Sequence, residues 1–124
     1  MAIDFKADTP IYMQISEMIR KAILAGDIQE EEPIPSVRQI SVEQNLNPQT
    51  VLNATQVLLN ENLIEKRRGL GMYVQKGARE KLQHQERESF QEEEIPDIVQ
   101  RARLLGYSES ELVEIVENAY REES

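Results

Sequence analysis

The sequence of 124 residues contains no cysteine and a single histidine, His84. Without cysteine the chain can form no disulfide and can offer no thiolate to a metal ion. His84 has no second histidine nearby and lies in a Glu/Gln-rich stretch, so we expect it on the surface. No nucleophile, base and acid occur at a recognisable spacing. The sequence therefore predicts neither an enzyme nor a bound cofactor or metal.

Long apolar runs and aromatic residues are also scarce. No run approaches the roughly 18 apolar residues of a membrane-spanning helix. The first ten residues lack a basic segment followed by an apolar core, so we expect no secretory signal, no membrane partner and a cytoplasmic location. Aromatic residues make up 5% of the chain, which argues against the stacking platform of an RNA-binding protein.

Basic residues are outnumbered, and the net charge of −9 is unevenly distributed. Residues 1–77 carry 8 Lys and Arg against 10 Asp and Glu, whereas residues 78–124 carry 6 against 13. The excess acid therefore lies mainly in the C-terminal third, where it weakens non-specific binding to nucleic acid. The alternative interpretation is that the acid only keeps the protein in solution.

Residues 33–74 have the pattern of a helix, a tight turn, a second helix and a hairpin. Ser36 and Gln39 form a capping box at the start of the first helix. Asn47 and Pro48 suit the N-cap and the first position of the second helix. The second helix has an apolar stripe formed by Val51, Ala54, Val57 and Leu58. Two β-prone runs, at 63–64 and 72–74, flank a basic turn predicted over 65–71. This order is typical of a winged helix-turn-helix, in which the second helix enters a DNA major groove.

The preceding segment predicts a helix from about residue 10 to 25, with Thr9 as its N-cap and Gly26 as its stop signal. Ile3 and Phe5 are expected to pack on this helix. We therefore predict a mainly α protein with a small β-hairpin, whose winged helix-turn-helix domain spans residues 1–77.

Residues 78–124 are predicted to form a helical dimerisation region. Pro96 should kink a long helix or start a new one after Glu94. Ser108 and Glu111 form another capping box, which opens a short last helix after a turn of two to three residues. Two amphipathic helices cannot bury both apolar faces by themselves, so a second subunit is expected. The candidate dimerisation residues are Phe90, Ile95, Val99, Ala102, Leu112, Val116 and Tyr120.

Four short segments resemble the GntR family of bacterial transcription regulators: Pro35-Ser36-Val37-Arg38, Asn47-Pro48-Gln49-Thr50-Val51, Leu63-Ile64-Glu65 and Arg67-Arg68-Gly69-Leu70-Gly71-Met72-Tyr73-Val74. The resemblance covers about the first 75 residues. The chain length and the helical tail resemble the small YtrA-like subfamily. In the family, a very short strand before the helix-turn-helix pairs with the hairpin, and the arginine after Pro-Ser-x contacts DNA; here it is Arg38. The candidate DNA-binding residues are Ser36, Arg38, Asn47, Gln49, Thr50, Asn53, Lys66, Arg67, Arg68 and Gly69.

The predicted recognition helix, residues 47–61, contains no Lys or Arg, although family members often carry one near Leu52 or Asn53. Contacts from arginine to guanine are therefore missing from this helix. Direct readout should favour adenine and thymine, because Gln and Asn match the donor and acceptor of adenine.

The resemblance implies a homodimeric repressor that binds double-stranded DNA at an inverted-repeat operator, in a subfamily whose targets often encode transporters. The sequence identifies no small-molecule effector. The alternative hypothesis is a winged-helix protein–protein interaction or scaffold module that does not bind DNA. The cluster of Arg38 with residues 66–68 on an acidic chain argues against this alternative.

Overall fold

The computed structural model describes residues 5–123, so Ile3 lies outside the described residues. The chain folds into six α-helices and one hairpin over this range. They are α1 (Ile11–Ala25), α2 (Val37–Gln44), α3 (Pro48–Asn60), β1 (Ile64–Arg67), β2 (Gly71–Val74), α4 (Ala78–Ser89), α5 (Ile95–Leu104) and α6 (Glu109–Glu123), with a π-helical segment, Phe90–Glu94, between α4 and α5. The predicted mainly α fold with a winged helix-turn-helix is confirmed.

Two compact units divide the chain, Met1–Gln83 and His84–Ser124. The first unit has a continuous apolar core to which α1, α2, α3, both strands and the start of α4 contribute. Its buried residues are Ile15, Ile19, Ile23, Ile34, Ile40, Val51, Ala54, Leu58, Leu63, Ile64, Val74, Ala78 and Leu82. Since Ala78 and Leu82 belong to this core, the first unit extends six residues beyond the domain boundary predicted at residue 77.

Helix α1 begins one residue later than expected. Pro10 occupies the N-cap position, and no side chain caps this helix end. The expectation that Thr9 is the cap is wrong, because the helical hydrogen bonds begin at Pro10, whose carbonyl accepts from the Met13 and Gln14 amides. Gly26 ends the helix with φ of +82°, as its position predicts.

The helix-turn-helix agrees closely with its sequence signals. Ser36 and Gln39 form both hydrogen bonds of the capping box at the start of α2. The Asn47 side chain accepts a hydrogen bond from the Gln49 amide at 2.8 Å and so caps α3. Asn45 ends α2 in the left-handed conformation with φ of 54°, which asparagine tolerates better than most residues. The turn between α2 and α3 is therefore fixed at both sides by local hydrogen bonds.

The hairpin differs from the prediction at its tip. Glu65, Lys66 and Arg67 belong to β1 and pair with Tyr73, Met72 and Gly71. The predicted seven-residue turn is thus wrong, and the loop contains only Arg68, Gly69 and Leu70. The expected short third strand is present only as a single-residue bridge from Pro33 to Tyr73. Beside it, the Ile34 amide donates to the Met72 carbonyl at 2.9 Å.

In the second unit, a new helix, α5, begins at Ile95 directly after Glu94, as one of the two expected outcomes predicted, and its first turn contains Pro96. The five-residue π-helical segment precedes it, and the flanking Glu94 and Ile95 keep helical dihedral angles. Proline has no amide hydrogen and its ring clashes with the preceding turn, so the wider π turn accommodates it. Ser108 and Glu111 form the predicted capping box of α6. This helix has 15 residues, so the expectation of a short last helix is wrong.

None of the helices within residues 5–123 combines the length and the apolar character that crossing a membrane requires.

Candidate nucleic-acid interface

The outer face of α3 consists of the exposed side chains opposite its buried stripe. Because Val51, Ala54 and Leu58 are fully buried, the helical repeat turns a second set of residues towards solvent. This recognition face contains Gln49, Leu52, Asn53, Gln56 and Asn60. It carries hydrogen-bonding amides and one aliphatic side chain, and no formal charge.

Two side-chain pairs order the amides of the recognition face. The Gln49 Nε2 atom donates to the Asn53 Oδ1 atom at 3.1 Å, and the Gln56 Nε2 atom donates to the Asn60 Oδ1 atom at 2.9 Å. Both pairs span one helical turn. Each pair leaves one amide oxygen and one amide nitrogen available to a base edge, which is the combination that adenine requires.

The other predicted DNA-binding residues near the starts of α2 and α3 differ in how available their side chains are to DNA. Thr50 is half-buried, so it is less available than the neighbouring Gln49. The side chains of Ser36 and Asn47 accept hydrogen bonds from backbone amides in their caps. Arg38 lies exposed on α2, two residues after the capping serine, and within the described residues it forms no ion pair.

The wing, defined here as residues 64–74, carries three cations in different environments. Arg67 lies over the Tyr73 ring with its Cζ atom 4.3 Å from the centroid, and its Nη2 atom is 3.3 Å from Glu65 Oε1. Lys66 and Arg68 are exposed and have no ion-pair partner in the part of the chain that the structure describes. Gly69 lies in the loop with φ of 76°, as the tight turn requires. Lys66 and Arg68 are therefore better placed than Arg67 for phosphate contacts.

The C-terminal end of α3 is fixed to α1 and α4. Arg20 on α1 forms a two-pronged ion pair with Glu61 and a second ion pair with Glu17 at 3.2 Å. Burial by itself lowers the pKa of Arg20, but the hydrogen bonds and charges of Glu61 and Glu17 raise that pKa above its ordinary value. The Lys81 ammonium donates to the Glu61 carbonyl at 2.8 Å and so provides a hydrogen bond to a backbone carbonyl at the C-terminal end of α3.

The predicted dimerisation residues lie in the second unit and are mostly uncovered. Ala102 is buried, while Val99 and Leu112 are half-buried. The remaining four candidates are exposed: Phe90, Ile95, Val116 and Tyr120.

A groove of about 810 Å³ lies along α1 and the end of α3, with Tyr12, Met13, Arg20 and Val57 among its lining residues. Arg20 is already paired with Glu61 there, so its guanidinium is less available to bind a charged ligand in the groove. His84 is exposed, and residues 5–123 contain no cluster of His, Cys, Asp or Glu that could hold a metal ion.

Sequence reasoning missed three members of the recognition face. Leu52, which could not be assigned to core or surface from its sequence, is 43% exposed. Gln56 and Asn60 extend the same face by two turns. A 3.6-residue repeat counted from Gln49 would have found all of them. Leu70, exposed at the wing tip, was also missed, because it was treated only as the residue between two glycines.

Comparison with known proteins places these features in a family. Residues 11–74 match the bacterial regulatory proteins of the gntR family, a range that includes the whole helix-turn-helix and wing. The HTH-type transcriptional repressor YtrA of Bacillus subtilis is 36% identical over 80 residues, which are 64% of this chain and 62% of YtrA. The chain thus spans less than two thirds of that relative.

Two further proteins are similar over most of the chain. The HTH-type transcriptional regulator YhcF of Bacillus subtilis is 26% identical over 115 residues, 89% of each protein. The structure of a GntR family transcriptional regulator from Listeria monocytogenes superposes with a TM-score of 0.73 at 25% identity, covering 92% of this chain and 98% of that one. The helices after the wing are therefore included in the structural likeness.

Proposed function

Because the chain belongs to the gntR family of bacterial regulatory proteins, we propose that it is a homodimeric repressor that binds an inverted-repeat operator. Membership of a family of DNA-binding regulators agrees with the prediction that the chain is not an enzyme. It also favours DNA binding over a scaffold role without DNA. The single observation that carries the proposal is the uncharged recognition face of α3, presented beside the exposed cations of α2 and the wing.

The recognition face supports readout of A·T pairs in the major groove. Gln49 and Asn53 supply paired donors and acceptors, and Leu52 supplies an apolar contact for a thymine methyl. Arg38, Lys66 and Arg68 are left to contact phosphates, or to read guanine from outside α3. The remaining candidates shape the backbone next to the DNA and contact its phosphates. They are Ser36, Asn47, Thr50 and Gly69.

The dimer is proposed from the second unit. Its exposed aliphatic and aromatic side chains, including Ile95, Val116 and Tyr120, would lie in water in a monomer. A second copy of the chain that covers these side chains would form a homodimer with two-fold symmetry. Such a protein binds two inverted half-sites whose centres lie about one helical turn, or a multiple of it, apart.

The repressor role and the target genes are proposed from relatives. YtrA of Bacillus subtilis is a transcriptional repressor, and we extend that role to this chain, in the cytoplasm where its DNA lies. We propose a transporter operon as the target. Footprinting on the DNA upstream of this chain's own gene and of its neighbours tests this assignment.

Selection of duplexes from a random library tests the readout, with wild type and Gln49→Ala side by side. We expect half-sites rich in A·T pairs. Gln49→Ala should cost about 1–3 kcal/mol at one base pair and relax the preference at that position alone. Gln85→Ala is a matched control, because it removes an exposed glutamine side chain from α4. A half-site dominated by G·C pairs and unaffected by Gln49→Ala would contradict the proposed readout.

A further inference from the structure

The wing tip presents an exposed aliphatic side chain. Leu70 is 68% exposed and lies between Gly69 and Gly71. Both glycines have positive φ, and no atom lies within 4 Å of the position that a Cβ would occupy on either. The space beside both flanking glycines is therefore open, and most of the Leu70 surface is exposed to solvent.

The stem of the wing holds this tip in a defined place. Ile64 and Val74 are buried in the core, at the base of the hairpin. Further out, Arg67 is stacked on Tyr73 and paired with Glu65. The Leu70 amide closes the loop by donating to the Arg67 carbonyl at 2.9 Å. A narrow loop on a fixed stem can enter a groove without first paying a large ordering entropy.

The charges around the tip suit a nucleic-acid backbone on either side of Leu70. Lys66 and Arg68 are exposed close to the loop. Arg67 is less available, because the Tyr73 ring and the Glu65 carboxylate already hold it. An apolar tip flanked by cations matches proteins that insert Leu, Ile or Phe between base pairs from the minor groove while cations contact phosphates.

We propose that Leu70 inserts from the minor groove as an apolar wedge between two base pairs beneath the wing, so that the operator requires a deformable step there. This inference rests on the proposed function, since it needs a chain that binds duplex DNA. Pyrimidine–purine steps unstack most easily, so TA or CA/TG is the expected step. Leu70 thereby contributes to specificity through the flexibility of the DNA at this step, without a hydrogen bond to any base.

The test uses the full chain and the duplex that wild type selects from a random library. In a second duplex the step beneath the wing is replaced by a stiff AA step, and 2-aminopurine placed at the step reports unstacking by increased fluorescence. Wild type should bind the flexible duplex more tightly than the stiff one and should increase the fluorescence on binding. Leu70→Ala should bind the flexible duplex about tenfold more weakly, because most of a buried aliphatic side chain is lost. It should also lose the step preference and the fluorescence change.

Two control variants separate a wedge from a general loss of apolar surface. Leu70→Met keeps an apolar side chain of similar volume and should keep the step preference. Met13→Ala removes an exposed apolar side chain from α1 and should behave as wild type. Leu70→Ala with wild-type affinity, step preference and fluorescence change would overturn the wedge while leaving the proposed function intact. A wild type that binds no duplex at low salt would overturn both.

Discussion

The two compact units of this chain differ in how they treat their apolar side chains. Among the described residues, the first unit buries 14 hydrophobic residues and leaves five large ones exposed. The second unit buries only Ala102 and leaves ten large hydrophobic residues exposed. The first unit closes its own core because three helices and a hairpin surround it, whereas two helices have nothing to cover their outer stripes. The first unit therefore has a closed core of its own, and the proposed dimer would cover the exposed side chains of the second.

Removing the second unit is expected to have the largest effect. A chain ending at Gln83 should be a folded monomer that binds the operator roughly 10²–10⁴-fold more weakly, because the linkage of two half-site contacts is lost. Analytical ultracentrifugation and thermal unfolding measure the two properties. A chain ending at Gly77 is the matched control and should be markedly less stable, because it lacks the core residues Ala78 and Leu82. If the chain ending at Gln83 remained a dimer, the interface would lie in the first unit.

Single substitutions should separate stability from assembly. Leu58→Ala removes a fully buried side chain from the first unit and should lower the free energy of unfolding by about 2–5 kcal/mol. Val116→Glu should leave the unfolding of the first unit unchanged and should abolish dimerisation at micromolar concentration, because it puts a charge into an apolar interface. Denaturant unfolding and sedimentation on both variants check this contrast. If the Val116→Glu variant remained a dimer, Val116 of α6 would not belong to the interface.

A smaller effect is expected when the ion pair between Arg20 of α1 and Glu61 at the end of α3 is removed. Arg20→Ala should destabilise the first unit by about 1–3 kcal/mol, because Glu61 loses its main partner in a half-buried site. Lys21→Ala is the control, since Lys21 is the adjacent basic residue and is exposed. Denaturant unfolding compares the two variants. Equal stabilities would mean that the pair contributes no more than its desolvation costs.

The cap of α6 should give the smallest effect. The pKa of Glu111 is lowered by the hydrogen bonds from the backbone and side chain of Ser108. A carboxylate with a lowered pKa stabilises the folded cap fully above its ordinary pKa of about 4.3, and this contribution disappears as the pH falls through the lowered value. The protection of the Ser108 amide, which is its exchange rate compared with that of an unfolded amide at the same pH, should therefore decrease in acid. In Glu111→Gln, which keeps an acceptor without titrating, protection that still fell in acid would point to another group.

The sequence predicted much of the first unit because its signals are local. The capping box at Ser36 and the cap at Asn47 each need only a few neighbouring residues, and both formed as expected. Asn45 and Asn62 adopt the left-handed conformation, which asparagine tolerates better than most residues. The order of helices, turn and hairpin then led to the family, which the match over residues 11–74 confirmed.

Other features depend on contacts between distant residues. The extended β1 strand contains Glu65, Lys66 and Arg67, which favour a turn by themselves, but pairing with Met72 and Tyr73 makes them a strand. The stacking of Arg67 on Tyr73 depends on that register. For this reason the three wing cations looked equivalent in the sequence and proved to lie in different environments.

By itself, the sequence determined the positions of the helices, the capped turn between α2 and α3, the apolar stripes and the family, because each is written in residues close along the chain. Only the tertiary structure decided which α3 residues form the recognition face, which wing cations remain unpaired, and that Leu70 is uncovered. It also decided that Ala78 and Leu82 belong to the first core. The physical reason is that exposure and pairing depend on what surrounds a side chain in space, and folding brings those neighbours from distant parts of the sequence.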